Sequence, residues 1–356
     1  MRLMAISALA DTAGAEVMLL RLLPELQQRG WSTRLTVPAN GDLRRDAHAA
    51  GIATVRLPLG PPARRTAGSY VGAALAPALA RRADVVLLNG LPTQRVLRTL
   101  RRRSLLHVTN PLERPPRAWR RRGYWELVRV VVCDSSFSAD QCVAAGAPPE
   151  RVHAVWPPAW GAGRERPAPR ERGRGARVGF VGRLEPRKGA LELVRAAGTF
   201  LQEHPDATLT LVGAPSPGGE PYEDELRRAV ASSAVAGRIE LAGHRPDAAS
   251  AMADFDLLAV PSLAEPFGTV AAEAAAAGVP VVASEVGGLP EVVLDSETGI
   301  LVPAGDAGAL AAAITGLLHD RDRLFALGLR AHEQAERFAP ERYADRVEAL
   351  LREAAA

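Results

Sequence analysis

Two glutamates, Glu265 and Glu273, stand in the stretch EPFGTVAAEAAAAGVPVV with seven residues between them and no other charge. Pro266 and Gly268 are expected to shape a turn, with Thr269 starting a helix. The free N–H groups of Gly268, Thr269 and Val270 would then face an anion. A carboxylate at Glu273 can accept two hydroxyl hydrogen bonds, as from a ribose diol, although the helix dipole alone also favours an acid there. Glu265, on the loop nearer the anion, would hold hydroxyls of an attached sugar.

The stretch VGRLEPRKG adds Arg183 and Lys188 after an apolar run ending near Val181. Lys188 is the only lysine; the other 43 basic residues are arginine. A compact ammonium that pivots onto phosphate oxygens is a physical reason for that exception, and chance is the alternative. In SEVGGLPEVV, Gly287 and Gly288 allow close backbone approach, and Glu291 falls where helix capping is its plain role. In LVGAP, Gly213 ends an apolar run. All four segments follow expected strands and so share one rim.

The elements that must position them alternate. RLMAISAL, STRLTVPA, ATVRLPL, ADVVLLNG, SLLHVTNP and VRVVVCDSS read as strands, and VMLLRLLPELQQRG as an amphipathic helix stopped at Gly30. A run rich in Gly, Pro and Arg, residues 161–176, reads as a linker. The rhythm resumes with ARVGFVGRL, ATLTLVGAP, RIELAGH, DLLAVPS, VPVVASE and TGILVP, then turns helical from Asp306. The expectation is α/β: two doubly wound parallel-sheet domains facing across a cleft, the first over 1–160, the second over 177–335, and a closing helix over 336–356. Such folds bind ligands where strand ends meet helix N-termini, which suits phosphate.

At 356 residues, 47% hydrophobic, the chain suits two soluble domains, and no window approaches the length of a membrane span. Two cysteines, Cys133 and Cys142, suit a reducing cytosol, and a cytoplasmic location is expected. Charge divides sharply. Residues 1–175 hold 28 Arg against 13 Asp and Glu, a net of +15, whereas 176–356 carry −11. The segment 117–129, RAWRRRGYWELVR, interleaves Trp119, Tyr124 and Trp125 with arginine, which suits an anionic membrane face or solvated helix surfaces.

Together VGRLEPRKG, VPSLAEPFGTVAAEAAAAGVPVVASEVGGLPEVV and ETGILVP resemble the donor domain of the family 4 retaining glycosyltransferases of the GT-B fold. The resemblance implies that Arg183 and Lys188, beside Gly182, hold a donor diphosphate. It implies that Glu265 contacts the transferred sugar and Glu273 the ribose. Backbone around Phe267, Gly268, Thr269 and Val270 would touch sugar and phosphate, while Gly213 and the His244–Arg245 segment border the base. The first domain is similar more loosely. Gly14 remains of a glycine-pair loop in which Ala13 replaces the first glycine. Thr109 stands where a catalytic histidine is usual: either His107, two residues earlier, takes that role through a shift of register, or Asn110 or a backbone carbonyl orients the acceptor.

The implied reaction moves a hexose-type sugar from a UDP- or GDP-sugar to a glycan, a lipid-linked acceptor or a small molecule, with retention. No metal or other cofactor is expected, since fixed cations would stabilise the leaving diphosphate. Asp254-Phe-Asp256 mimics a metal-binding DxD but sits where it would cap a turn before a strand. A nicotinamide dehydrogenase would need G-x-G-x-x-G between a strand and a helix, and none occurs. A pyridoxal-dependent phosphorylase would need a lysine that the phosphate loop already uses. A nucleic-acid partner leaves the second domain unexplained, and a non-catalytic sugar-nucleotide- or lipid-binding protein is the alternative of another class.

Overall fold

The computed structural model describes residues 1–12, 14–59, 67–100, 104–108, 119, 123–159, 175–216, 218–245 and 252–356. Outside them fall Ala13, the RRR at 101–103, Thr109, Asn110 and residues 161–174 of the expected linker. The chain forms two compact units, Met1–Pro157 with Glu341–Ala356, and Pro158–Pro340.

In the first unit β1 (Arg2–Ile6), α1 (Gly14–Gln28), β2 (Ser32–Val37), α2 (Asp42–Ala49) and β3 (Ala53–Arg56) are followed by α3 (Ala67–Ala80) and β4 (Val85–Asn89). Then come α4 (Leu97–Leu100), β5 (Ser104–Val108), β6 (Val130–Cys133), α5 (Ser136–Ala144) and β7 (Val152–Ala154). The seven strands form one sheet in the order β3-β2-β1-β4-β5-β6-β7. All its pairings are parallel, with Leu3 opposite Val85 across the β1–β4 pair. Runs such as VVLLN and VVVC are buried along their whole length, as parallel strands covered on both faces require.

The aromatic residues of 117–129 correct an expectation. Trp119 is 2% exposed and Tyr124 5%, and both lie in the core with Val86, Leu88 and Val131. The Trp119 indole N–H and the Tyr124 hydroxyl both donate to Gln94 Oε1. Trp119 and Tyr124 therefore fill the unit with their rings, because burial with satisfied polar tips outweighs any gain from a surface. These two rings are not presented to a membrane.

The second unit contains β8 (Arg177–Val181), α6 (Ala190–Glu203), β9 (Thr208–Val212), α7 (Glu220–Ala231), β10 (Ile239–Gly243) and β11 (Leu257–Val260). It continues with α8 (Thr269–Ala276), β12 (Val281–Ser284), α9 (Leu289–Val292), β13 (Gly299–Val302), α10 (Ala307–His319) and α11 (Arg321–Gln334). Its sheet runs β10-β9-β8-β11-β12-β13, again all parallel. α6 buries Leu193, Val194, Ala197, Phe200 and Leu201, a stripe at helical spacing that packs on Val178, Leu209 and Leu211. The later helices begin on aspartate caps. Asp306 accepts from Ala309 N–H at 2.8 Å and Asp320 from Arg323 N–H at 2.9 Å.

α12 (Pro340–Ala355) belongs, from Glu341 onward, to the first unit. It buries Tyr343, Val347, Leu350 and Leu351. Arg29 ion-pairs with Asp345 and Glu348, and the Trp31 indole donates to Glu348 at 3.0 Å. The hydrogen bond from Trp31 is the largest cause that lowers the Glu348 pKa.

At the ends of α6 and α10, the rings of His204 and His319 lie 4.3 Å apart. Burial, and then the charge of His319, push the His204 pKa below its ordinary value of 6.5. Above that value both states are neutral. As the pH falls below it, the unfolded chain takes the proton first, so stability falls from about pH 6.5 toward the depressed folded value. Urea unfolding of the parent should therefore weaken more from neutral to mildly acidic pH than unfolding of His204→Gln. Equal slopes would refute the assignment.

Among the described residues no helix is long and apolar enough to cross a membrane.

Candidate active site

β8 and β11 are neighbours at the centre of the second sheet, and the chain leaves β8 toward β9 and β10 before returning to β11. Strand order reverses there, and an open parallel sheet binds its ligand at the carboxyl ends of the strands flanking such a point. The loops after β8 and β11 carry Lys188 and Glu265.

A glycine brings these loops together. Gly189 has φ +71°, and a Cβ on it would overlap the Pro261 carbonyl oxygen. Only glycine both adopts this left-handed backbone readily and leaves room for the contact. The Leu263 N–H then donates to the Arg187 carbonyl at 2.7 Å, and the Arg187 guanidinium to the Ala264 carbonyl at 3.3 Å. So zipped, the loops place Lys188 Nζ 2.5 Å from Glu265 Oε2. Ser262 Oγ donates to the same oxygen at 3.1 Å. Glu265 is only 6% exposed, so its charge is held in a shielded place by one ammonium and one hydroxyl. The turn after β12 supports it from behind. Gly288 N–H donates to the Glu265 carbonyl at 3.1 Å, and a Cβ on Gly287, at φ +61°, would overlap that same oxygen.

Around this pair stand the other groups expected from the sequence. Gly268, at φ +104°, opens α8, whose first amides have no carbonyl one turn earlier to bond. Thr269 and Val270 are half-buried there. Glu273 lies four residues beyond Thr269, hence on the same helix face, and is also half-buried. Phe267 turns its ring into the core against Phe338, centroids 5.8 Å apart, which leaves its backbone as the part near the α8 tip. Arg183 is exposed, 3.3 Å from Glu185 and 3.3 Å from Ser216 Oγ. Glu185 also binds Arg187, at 2.6 Å.

Gly182, Gly213 and Gly243 meet where β8, β9 and β10 end. Gly182 N–H donates to Val212, Gly213 N–H donates to Gly243 at 2.8 Å, and a Cβ on Gly213 would overlap the Gly182 carbonyl. His244, the next residue, is exposed. The rim of the second sheet thus gathers Gly182, Arg183, Lys188, Gly213, His244, Glu265, Glu273 and the start of α8.

The DxD-like pair lies elsewhere. Asp256 precedes β11 and accepts from the Arg177 N–H at 2.7 Å, tying together the strand ends away from Glu265. Its other oxygen is 3.9 Å from Arg321.

In the first unit, Gly14 starts α1, and a Cβ there would meet nothing within 4 Å, so the fold itself does not demand glycine. His107 pairs with Asn89 and Val132 along β5; its side chain, like Thr109 and Asn110, lies outside what is described. The order of the first sheet reverses between β1 and β4, and three residues that the motifs did not flag join across that point. Ser7 Oγ donates to Glu16 Oε1 at 2.9 Å, and Asn89 Nδ2 donates to the same oxygen at 3.3 Å. Glu16 is buried, in the first turn of α1. An acid placed among apolar residues just after the first strand was the available signal.

Two family models match the chain. Residues 175–320 match the model described as glycosyl transferases group 1, and residues 13–158 the one described as a glycosyl transferase 4-like domain. A D-inositol 3-phosphate glycosyltransferase of Nocardia farcinica is 40% identical over 178 residues, 49% of this chain and 39% of that protein. Its namesake from Rhodococcus jostii is 37% identical over 231 residues, 60% of this chain and 50% of the relative. The chain thus spans half or less of the length of these curated relatives. Among solved structures, Anabaena HepE in complex with UDP superposes with a TM-score of 0.85 at 23% identity, covering 99% of this chain and all of that one. Sucrose-phosphate synthase from Thermosynechococcus elongatus gives 0.80 at 22%, covering 99% and 98%. With both units matched and the whole fold shared, the chain belongs to the family 4-type, group 1 glycosyltransferases of the GT-B fold.

Proposed function

We propose that this protein transfers a hexose-type sugar from a nucleoside-diphosphate sugar to an acceptor, with retention of anomeric configuration and without a metal. The observation that carries the reading is the convergence of Lys188, Glu265 and the α8 N-terminus where β8 meets β11. In the reaction the bond from the anomeric carbon to the β-phosphate oxygen breaks, and one to an acceptor oxygen forms. The acceptor proton leaves with the diphosphate. Negative charge grows on the leaving group, and Lys188, Arg183 and the first amides of α8 stabilise it more in the transition state than in the ground state. Glu265 reads the sugar hydroxyls and Glu273 the ribose. Fixed cations do the work a divalent ion would do, and Asp256 is already committed to the backbone of Arg177.

A UDP-sugar is the favoured donor, in keeping with the UDP bound by HepE. The acceptor is assigned to the first unit, whose side of the chain carries the excess of arginine. That excess suits a phosphorylated polyol, the acceptor class named for the curated relatives.

A panel of nucleotide-sugars tests the donor by thermal shift. A ligand at a hundred times its Kd stabilises the folded state by about 2.7 kcal/mol, a rise of several degrees. The cognate donor should then release nucleoside diphosphate when inositol 3-phosphate is added, and continue to do so in excess chelator. No shift with any nucleotide-sugar would overturn the reading, and loss of turnover in chelator would overturn its metal-free form.

A further inference from the structure

Both side chains assigned to the diphosphate already face a carboxylate: Lys188 faces Glu265, and Arg183 faces Glu185. The two acids differ in what they keep when the cation leaves. Glu265 would keep the Ser262 hydroxyl. Glu185 would keep a whole ion pair, because the oxygen that lies 3.3 Å from Arg183 Nη2 also lies 2.6 Å from Arg187 Nε. Arg183 therefore has a partner that it can leave without stranding a charge.

Glu185 is the fixed member of this pair. Leu184, just before it, is buried in the core, and its N–H donates to the Ala214 carbonyl at 3.0 Å. The Glu185 carbonyl accepts from Lys188 N–H at 2.9 Å across the turn Pro186–Lys188. Arg187, which grips the carboxylate, is itself tied to the Ala264 carbonyl. Arg183 is the movable member. Its side chain is 55% exposed against 21% for Glu185, and its guanidinium also donates to Ser216 Oγ at 3.3 Å. Rotation about its own side-chain bonds is enough to carry it to an anion.

We propose that Arg183 is an arm with two seats, resting on Glu185 in the empty site and on the diphosphate in the filled one, and that Glu185, by taking the arm back, loosens the hold on the nucleoside diphosphate so that it leaves. The proposal rests on the transfer reading above and assigns a role to an acid which that reading does not use. A phosphate oxygen on Arg183 Nη2, at the usual distance of about 2.9 Å, would lie within about 6 Å of the resting position of the Glu185 oxygen. Acid and phosphate thus compete for one cation and repel each other. The competition matters most after transfer. The freed terminal phosphate sheds a proton near neutral pH and carries more negative charge than the donor did, so each fixed cation grips it harder. An acid held in place by a second arginine opposes that grip without being left unpaired when the ligand is bound.

Binding of UDP and of GDP to the full chain is measured by calorimetry, and the tighter ligand is carried through the variants. Glu185→Gln keeps the shape and removes the charge, and should tighten binding about two- to fivefold, the range that an exposed ion pair allows. A merely structural role would weaken binding instead. In an Arg183→Gln background the same change should leave affinity as it finds it, because the arm is gone. Glu185→Asp keeps the charge and should stay near the parent. Ser216→Ala removes the arm's other resting contact and should also tighten binding, by less than Glu185→Gln. The proposal is overturned by unchanged or weaker binding in Glu185→Gln, by an equal gain without Arg183, by Glu185→Asp matching Glu185→Gln, or by weaker binding in Ser216→Ala. Any of these in a parent that binds the nucleotide refutes the role of Glu185 alone. A parent that binds neither UDP nor GDP refutes the transfer reading and this proposal with it.

Discussion

Lys188→Ala should lower transfer at saturating donor by roughly a hundred- to a thousandfold, the usual loss when one fixed group that stabilises growing negative charge is removed. It should also destabilise the protein. Glu265 is shielded and would lose its cation, keeping only the Ser262 hydroxyl, and an unpaired buried charge costs about 3 kcal/mol or more. The two losses separate in a double-mutant cycle. In Lys188→Ala/Glu265→Gln the orphaned charge is gone, so the melting temperature should recover most of the way while turnover stays lost. Lys188→Arg keeps a charge but replaces a pivoting ammonium with a larger planar fork between two tightly zipped loops, and should fall between parent and alanine. If Lys188→Ala left both turnover and donor affinity near the parent's, the proposed site would be wrong.

The next largest effect is expected from a residue that acts through the Glu265 loop. Gly287→Ala places a methyl group where the Glu265 carbonyl oxygen stands, at a backbone angle of φ +61°. The left-handed backbone alone costs an L-residue roughly 1–2 kcal/mol. The overlap is with backbone, so a side-chain rotation cannot relieve it, and the loop bearing Glu265 must move. A displacement near 1 Å costs on the order of a hundredfold in rate. The expected outcome is a fall in kcat larger than the rise in KM, with a melting temperature several degrees lower. Gly316→Ala in α10 is the control, since a Cβ there meets nothing within 4 Å. It should be neutral or slightly stabilising. Equal behaviour of the two variants would show that the turn after β12 does not hold Glu265.

Short-range patterns carried most of the sequence reading. The alternation of apolar runs and helical periods marked both sheets because a parallel strand buried on two faces must be nearly all apolar. The Pro266–Gly268 turn marked the start of α8 because only a few residue types fit a left-handed position before a helix. Contacts between distant segments were not legible. Lys188 was read as a phosphate ligand and Glu265 as a sugar ligand, each from its own neighbourhood. Their direct pairing depends on β8 and β11 being adjacent, because the partners stand 77 positions apart in the sequence. Gly287 read as permissive, although the atom that requires it belongs to the loop after β11. The Ser7–Glu16–Asn89 group likewise joins two strands that are neighbours only in the folded sheet. The rings of Trp119 and Tyr124 were misread because alternation with arginine looks the same whether the aromatic side chain faces solvent or Gln94.

A unit whose last helix comes after another entire unit carries a timing constraint on biosynthesis. Residues 1–157 leave the ribosome long before α12, yet that helix supplies Tyr343, Val347, Leu350 and Leu351 to their interior. The second unit is contiguous and can close as soon as residue 340 emerges, whereas the earlier sheet waits with an apolar groove open to solvent. Nascent chains halted before residue 341 should therefore be the ones that holdase chaperones retain.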